Sequence, residues 1–378
     1  MDTEGMPMPT TPPRQMWSPW PGSSVSCWPA RALQQLSSIS RAWDDELGAP
    51  LSHDSQKRSR RATIMNATIG QVPMTVAVAG STGFIGSAVV DELVRVGHRV
   101  RALRRHSSKA SPGVEEIVAQ DGVADLRALD RLLTDSDVLV HAVSYTGEDE
   151  ELQRTTNISG TRTLCEQAAE HSIRRIVHIS TAGVYGTAFA PGVDESTPPV
   201  PRSMLSQFRL EAERIVIDAG GIALRPQFVL GAGDTWVLSR LSALIRACGA
   251  QGVASGAHAS VIGRSSLASV VGIVAAGSAR HQIYNVGTAV PVSMGDLVEQ
   301  VLTGTGEFRE APRRVSVDEV LIAADKIGVP RRAVALALEE SVLDCSRLWT
   351  EFPETSRPAQ ILSANDIAWY RRWLGITN

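Results

Sequence analysis

The sequence predicts an α/β protein with a doubly wound parallel sheet, followed by a smaller C-terminal α+β lobe. From Met74, the run MTVAVAG leads through glycines into FIGSAVVDELVRVG, an amphipathic helical pattern that ends at Gly97. Short apolar strands and helical patterns then alternate along the chain. Such alternation favours a parallel sheet with its ligand at the carboxyl ends of the strands.

The remaining elements follow the same alternation as far as Pro226. Beyond this residue the pattern weakens, and mainly helices are predicted. The predicted strands are Arg99–Leu103, Ile117–Ala119, Asp137–Val143 and Arg175–Ser180, and the predicted helices are Leu126–Leu133, a long helix ending near His171, Thr235–Cys248, Ser266–Ala276, Ser293–Leu302 and Ala364–Trp373.

Three regions are expected from these patterns. Residues 1–73 contain Pro, Ser and half of the tryptophans but no sustained period of 2 or 3.6, so we interpret them as a poorly ordered extension. Residues 74–226 form the dinucleotide-binding domain, and residues 227–378 form mainly a substrate-binding lobe. Asp2 and Glu4 argue against a secretory signal, and Met65 and Met74 are candidate natural starts.

Composition excludes several classes of protein. Apolar residues make up 43% and charged residues 20%, with a formal net charge of −3, which is ordinary for a globular protein. No apolar run reaches the roughly 18 residues of a membrane span, and the arginines are scattered among acids, so neither a membrane nor a nucleic-acid partner is expected. The four cysteines and eight histidines show no zinc spacing, which predicts no metal, reduced thiols and a cytoplasmic location.

A GxxGxxG motif, Gly80 to Gly86, stands between the first predicted strand and helix. Glycines at these positions permit a tight turn and close approach of the backbone to a pyrophosphate, whose charge the helix N-terminus favours. The motif therefore predicts a Rossmann-type dinucleotide site. Its expected contact residues are Gly80, Thr82, Gly83, Phe84, Ile85 and Gly86.

Several segments resemble, in chain order, those of the extended short-chain dehydrogenases/reductases, also called the NAD-dependent epimerase/dehydratase family. The resemblance runs from about Met74 to the C-terminus and implies an enzyme acting on a carbonyl or hydroxyl compound with a nicotinamide cofactor. The segments that carry it are AGSTGFIG, DVLVHAVS (Asp137–Ser144), NISGT (Asn157–Thr161), IVHISTAGVYG (Ile176–Gly186) and LRPQFVLGAGD (Leu224–Asp234).

The resemblance also implies a cofactor type. Arg104 and Arg105 follow the second strand, where NAD-using relatives have an acidic residue for the ribose 2′-hydroxyl. Because a guanidinium can pair with a 2′-phosphate, we expect NADP(H), with NAD(H) bound less selectively as the alternative. Asp121 is expected at the adenine or, equally, as a turn residue before Gly122. Ala142 is expected to line the cofactor site.

The family's active site combines a serine or threonine with a YxxxK pair on the following helix. Thr181 stands at the hydroxyl position, but Leu205 and Arg209 stand where the tyrosine and lysine belong. Leucine has no proton to give, and arginine is too basic to act as a titrating base. Arg209 could still bind ribose hydroxyls and favour a developing alkoxide, or it could be a solvated helix residue.

Proton donation then requires another group. Tyr185, and after it Tyr145, follow strands that point at the expected cofactor pocket and carry suitable phenols, although each could simply be a packing residue. We thus take Thr181, Tyr185 and Arg209 as candidate catalytic residues. His141 and His178 fall within predicted central strands and are expected to be hydrogen-bonded core residues.

Substrate evidence is thinner. Nucleotide-sugar relatives commonly place an arginine before an IHVxD stretch, and ASVIGRSSLAS (Ala259–Ser269) has neither that arginine nor the aspartate. Arg331 and Arg332 could compensate, or could belong to a surface turn. The sequence therefore favours an NADP-dependent oxidoreductase with altered proton delivery, acting on a sugar-like or specialised metabolite. Two alternatives stay open: a non-redox isomerase, dehydratase or cyclase, and a catalytically silent dinucleotide-binding protein. A homodimer is left open as the assembly.

Overall fold

The computed structural model of the chain describes residues 73–376 except for 108–111, 187–190, 305–311, 327–328, 330 and 357–360. The expected N-terminal extension, apart from Pro73, lies outside the described residues. Within the described ranges, no helix combines the length and apolar character needed to cross a lipid bilayer.

The strands occur in two groups, seven in a central sheet and six in small two-stranded pairings. In chain order they are β1 (Thr75–Ala79), β2 (Arg99–Arg104), β3 (Val114–Val118), β4 (Val138–His141), β5 (Arg175–Ile179), β6 (Ile222–Pro226), β7 (Phe228–Leu230), β8 (Gly252–Ala254), β9 (His258–Ala259), β10 (Val261–Gly263), β11 (Ile283–Val286), β12 (Val292–Ser293) and β13 (Arg314–Ser316).

Helices connect most of the strands, as expected from the sequence. They are α1 (Phe84–Arg95), α2 (Leu126–Leu133), α3 (Glu150–Arg154), α4 (Gly160–Glu170), α5 (Met204–Asp218), α6 (Leu238–Ala247), α7 (Arg264–Ala276), α8 (Met294–Thr303), α9 (Val317–Lys326), α10 (Arg331–Leu338), α11 (Ser346–Glu351) and α12 (Ala364–Trp373). A π-helical turn, Thr155–Ser159, joins α3 to α4, so the long helix expected to end near His171 is interrupted.

The central sheet has the strand order β11-β6-β5-β4-β1-β2-β3, and all of its neighbouring strands are parallel. This confirms the predicted doubly wound sheet. The chain leaves β1 toward β2 on one side and returns to β4 on the other, so the order reverses between β1 and β4. A crevice forms at such a reversal, outside the carboxyl ends of the strands, and ligands bind there.

The central strands are buried because helices cover both faces of the sheet. Val76 and Val78 of β1 face the layer that contains α1 and α7, whereas Ala77 and Ala79 face the layer that contains α2 and α4. All four side chains are fully buried. Burial on both faces explains why β1 reads as a continuous run of small and apolar residues instead of an alternating pattern.

The division at Pro226 does not coincide with the edge of the sheet. Strand β11, from the C-terminal half, pairs with β6 and completes the sheet, and helix α7 packs against α1. The other C-terminal elements form a second apolar core around α6, α8 and α12. The second core is thus built from residues after 226, but two of the later segments, β11 and α7, belong to the central sheet and to the helix layer that covers it.

Candidate functional site

The glycine turn after β1 is fixed by close backbone contacts. Gly80 has φ of +84°, a conformation that favours glycine, and a Cβ there would lie 2.6 Å from the carbonyl carbon of Ala142. A Cβ on Gly86 would lie 2.8 Å from the carbonyl carbon of Gly80 and closer still to its oxygen. Gly83 is less restricted, since its Cβ would approach Gly80 only to 3.4 Å. Two of the three motif glycines are therefore sterically required.

The glycine turn leads directly into helix α1, whose N-terminus lies at the carboxyl end of β1 and has no side-chain cap. Helix α1 starts at Phe84 without a side-chain cap from Gly83, and its first turn contains no acidic residue. Thr82 and Gly83 are exposed, and Phe84 and Ile85 are half-buried. The backbone N–H groups of this first turn are consequently available to an anion, and the helix dipole favours one. The residues expected at the dinucleotide lie together and suit a pyrophosphate.

Arg264 anchors this turn to the C-terminal half of the chain. Its Nε donates to the carbonyl oxygen of Phe84 at 2.5 Å, and its two terminal nitrogens donate to Ala232 O at 3.1 Å and to Ser87 Oγ at 2.7 Å. Ser81 ties the turn to β2 by donating to the carbonyl oxygen of Leu103 at 2.7 Å. Sequence reasoning missed Arg264, because its first partner lies 180 residues away in the chain.

The two arginines expected at the ribose end have different surroundings. Arg104 is the last residue of β2 and pairs with Glu116 of β3 at 3.1 Å, each side chain being only 13% exposed. Arg105 is exposed and forms no ion pair with another described residue. The charge of Arg104 is thus partly neutralised by a neighbouring carboxylate, and that of Arg105 is not. Asp121 is exposed and precedes a single 3₁₀ turn, to which its side chain adds no cap.

Thr181 lies at the carboxyl end of β5 and begins the short 3₁₀ turn Ala182–Tyr185. Its Oγ1 accepts a hydrogen bond from the backbone N–H of Gly183 at 3.1 Å, which leaves the hydroxyl proton available for donation. A Cβ on Gly183 would lie 3.3 Å both from Thr181 Oγ1 and from Ser206 Oγ, so helix α5 begins beside the threonine. Ser206 is a neighbour that the sequence did not reveal.

Arg209 follows Ser206 by one helical turn on α5 and faces His178 of β5. It is half-buried, and no hydrogen bond or ion pair connects it with another described residue. Desolvation lowers the pKa of Arg209 to about 10, so the guanidinium remains charged near neutral pH. Leu205, one turn earlier, is also half-buried. The structure therefore brings Thr181 and Arg209 to the same corner of the sheet.

Tyr185, in contrast, belongs to a buried polar network. Its hydroxyl donates to Asn285 Oδ1 at 2.9 Å and accepts from Arg225 Nη1 at 2.7 Å. Arg225 in turn forms a two-pronged ion pair with Glu213, which accepts a further hydrogen bond from Ser180 Oγ at 2.5 Å. Burial raises the pKa of Tyr185, whose proton is held by Asn285. This geometry favours the alternative interpretation, in which Tyr185 is a packing residue.

Tyr145, the second candidate proton donor, follows β4, one of the two strands between which the strand order reverses. It lies on the loop after β4, where Asn157 of the π-helical turn accepts from its backbone N–H at 2.9 Å and donates to its carbonyl oxygen at 3.0 Å. The side chain is half-buried, and its hydroxyl forms no hydrogen bond with another described residue. A Cβ on Gly147 would lie 2.6 Å from the phenol Cζ, so this glycine makes room for the ring.

The two strand histidines are buried and hydrogen-bonded. Thr161 Oγ1 donates to the carbonyl oxygen of Asn157 at 2.6 Å and therefore accepts from His141 Nε2 at 2.8 Å. His178 Nδ1 donates to the carbonyl oxygen of His141 at 3.3 Å. Burial lowers the pKa of both rings, with Arg209 contributing at His178, whose pKa falls to about 3. Both are neutral core residues, as the sequence predicts.

Two other expectations concern the surface and metals. Arg331 pairs with Asp325 at 2.9 Å, and both side chains are about half exposed, which fits the surface-turn interpretation; the side chain of Arg332 lies outside the described part of the chain. Among the described residues, no cluster of three or more His, Cys, Asp or Glu side chains could hold a metal ion.

Comparison with known proteins agrees with the geometry. A ketoreductase of Stigmatella aurantiaca, for 4-hydroxy-2-methyl-3-oxo-4-farnesyl-3,4-dihydroquinoline-1-oxide, is 34% identical over 192 residues, which are 46% of this chain and 55% of that protein. The chain thus spans about half the length of this relative. The dTDP-6-deoxy-L-talose 4-dehydrogenase (NAD(P)(+)) of Kitasatospora kifunensis is 28% identical, with 74% of this chain and 95% of that protein covered.

Solved structures show the same fold. The Bordetella bronchiseptica enzyme WbmH, determined in complex with NAD+, superposes with a TM-score of 0.62 at 18% identity, covering 80% of this chain and 99% of that one. Residues 76–255 match the NAD dependent epimerase/dehydratase family. The glycine turn and the reversal of strand order beside it both lie within this matched range, so residues 76–255 are similar to the NAD-dependent epimerase/dehydratase family that the sequence resembles.

Proposed function

We propose that the protein is an NADP(H)-dependent oxidoreductase that acts on a carbonyl or hydroxyl group of a sugar-like or specialised metabolite, with a proton-delivery route different from the family's Tyr-Lys pair. The observation that supports the proposal is that Thr181 follows β5 at the carboxyl edge of the sheet, while Arg209 lies on the adjacent helix α5 near His178 of β5. Thr181 offers a hydroxyl that can donate a hydrogen bond to the substrate oxygen, and Arg209 supplies a positive charge.

The residues present fit a dinucleotide. Gly80 and Gly86 keep the turn free of side chains, and the first turn of α1 offers uncapped N–H groups to a pyrophosphate. Arg105, exposed beyond β2, is the residue we propose for the 2′-phosphate. When bound, the nicotinamide would supply or accept the hydride.

The chain's own groups would act on the substrate oxygen. Thr181 accepts from Gly183 N–H and can therefore donate its hydroxyl proton to a carbonyl oxygen. The charge of Arg209, in a half-buried position and without a carboxylate partner among the described residues, would favour the alkoxide that develops during reduction. We propose Tyr145 as the group that delivers the proton, because its hydroxyl has no partner among the described residues.

Two relatives indicate substrate classes. The Stigmatella aurantiaca relative reduces an oxo-dihydroquinoline, and the Kitasatospora kifunensis relative is named as a dehydrogenase of a dTDP-deoxy sugar. A carbonyl on a ring is common to both. We propose a ring ketone, or the corresponding secondary alcohol, as the reacting group.

Absorbance at 340 nm tests the proposal directly. The full chain is mixed with NADPH and a 3-oxo-dihydroquinoline, or with NADP+ and dTDP-6-deoxy-L-talose. Substrate-dependent loss or gain of absorbance supports an oxidoreductase. The non-redox alternative is favoured by Leu205 at the position of the family's tyrosine. Conversion of a substrate without a net absorbance change, and without a transient one in a single turnover, would support it instead. Binding of dinucleotide without turnover of a ring-ketone panel would favour a silent binding protein.

A further inference from the structure

An ion pair occupies the end of the crevice where the adenosine ribose of a dinucleotide would lie. Arg104 closes β2, and Glu116 lies on the neighbouring edge strand β3, with 3.1 Å between Arg104 Nη1 and Glu116 Oε1. The register places Ala102 beside Glu116 and Arg104 beside Val118. Because side chains alternate along a strand, Arg104 and Glu116 lie on the same face of the sheet.

We propose that Glu116 determines the dinucleotide preference of this protein by holding Arg104 and placing a carboxylate at the ribose end of the site. The inference rests on the proposed function, since it concerns the same dinucleotide. A 2′-phosphate attracted by Arg104 and Arg105 would also meet the negative charge of Glu116. A ribose 2′-hydroxyl, which is neutral and can donate a hydrogen bond, would not be repelled.

The limited exposure of Arg104 and Glu116 strengthens the repulsion between Glu116 and a 2′-phosphate. Each side chain is 13% exposed, so solvent screens the charges less than at an open surface. Arg105 remains exposed and available to a phosphate. Both dinucleotides are therefore expected to bind, and Glu116 reduces the advantage that the two arginines would otherwise give to NADP(H).

The same two strands contain a matched control. Glu115 is adjacent to Glu116 in sequence and pairs with Arg101 of β2 at 3.0 Å, but its side chain is 58% exposed and points to the opposite face of the sheet. Removing its charge changes the net charge of β3 by the same amount. An effect that depends on the position of the carboxylate will appear at residue 116 and not at residue 115.

The experiment measures the dissociation constants of NADPH and NADH for the full chain by nicotinamide fluorescence at fixed ionic strength. The variants are Glu116→Gln, which keeps an acceptor for Arg104, Glu116→Thr, which suits an edge strand, and Glu115→Gln. Thermal unfolding shows whether each variant is folded. Both changes at residue 116 should lower the dissociation constant of NADPH about tenfold and leave that of NADH within about twofold. Glu115→Gln should alter neither constant.

An unchanged ratio of the two constants in both folded residue-116 variants would overturn the inference. So would an equal shift in Glu115→Gln, since that result indicates a general charge effect. Failure of the wild-type chain to bind either dinucleotide would contradict the proposed function itself, a result distinct from binding of both without any effect of Glu116.

Discussion

The phenol oxygen of Tyr185 lies 2.7 Å from a guanidinium nitrogen of Arg225 and accepts its hydrogen bond. The same oxygen donates to Asn285, and the Tyr185 side chain is almost completely buried. The tyrosine of the VYG segment consequently connects the turn after β5 with the neighbouring strands β6 and β11 of the central sheet. The proposed function therefore assigns proton transfer to Tyr145 instead.

Replacing Tyr185 and Thr181 should therefore separate stability from catalysis. Tyr185→Phe removes the hydrogen bonds that the phenol makes with Arg225 Nη1 and Asn285 Oδ1. The free energy of unfolding should therefore fall by about 1–3 kcal/mol while kcat changes little. Thr181→Ala removes a hydroxyl proposed to contact the substrate, so kcat should fall by about 100-fold. Urea unfolding and steady-state kinetics measure the two effects. A hundredfold loss of kcat in a stable Tyr185→Phe protein would restore Tyr185 as the proton donor.

The glycine turn allows a test with a matched helical glycine. In Gly86→Ala, the new methyl group would clash with the backbone of Gly80, so the turn should open and the dissociation constant for NADPH should rise at least about tenfold. Gly272→Ala in α7 meets only a Leu93 methyl group at 3.9 Å and should bind NADPH normally. Fluorescence titration gives both constants. Equal dissociation constants for the two variants would mean that the glycine turn does not contribute to dinucleotide binding.

Arg209 should act through its charge. Arg209→Met removes the guanidinium that we place beside the ribose and the reacting oxygen, and should lower kcat/KM by about 100-fold. Arg209→Lys should retain part of the activity because the ammonium keeps the charge. Arg214→Met on an exposed position of the same helix is the control and should leave kcat/KM unchanged. If Arg209→Met matches this control, Arg209 is a solvated helix residue.

Burial of His178 should make the free energy of unfolding decrease in acid. Its pKa falls to about 3 in the folded protein through burial and the nearby Arg209, against an unfolded value of about 6.5. Between these values the unfolded chain binds a proton that the folded chain does not, so stability is lost as pH drops from about 6.5 toward 3. At pH 5 the loss is about 2 kcal/mol.

The matched variant for this test is His178→Asn, whose amide can still donate to the carbonyl oxygen of His141. Urea unfolding at pH 7 and pH 5 should show a smaller acid loss in this variant than in wild type. Identical pH dependence of the two proteins would mean that His178 titrates normally in the folded state.

Local patterns were sufficient for strands β1 to β5 and for the glycine turn between β1 and α1. The helices Leu126–Leu133 and Ala364–Trp373 have the bounds that periodicity predicts, and the glycine motif lies where strand and helix spacing place it. Strand β11 was missed, because a four-residue buried strand shows no alternation that separates it from a helix segment. The π-helical turn at Thr155–Ser159 likewise leaves no periodic signal.

The site was harder to predict because its key contacts are not local. The pairing of Arg104 with Glu116 depends on the register of two strands, which the sequence alone does not specify. Arg264 reaches Phe84 across 180 residues. Tyr185 looked suitable by chemistry and position, and only the surroundings of its hydroxyl, Arg225 and Asn285, reveal a structural role.

Transfer of deuterium from NADPH labelled at the nicotinamide C4 to a ring-ketone substrate tests the central claim most directly. The full chain is incubated with labelled NADPH and the ketone, and the mass of the product is measured by mass spectrometry. The same reaction is run with Thr181→Ala for comparison. The alcohol product should be one mass unit heavier than with unlabelled NADPH, and its rate of formation should fall by about 100-fold in Thr181→Ala. Tight binding of NADPH with no label in any product, or transfer that Thr181→Ala leaves undiminished, would contradict an oxidoreductase built around Thr181.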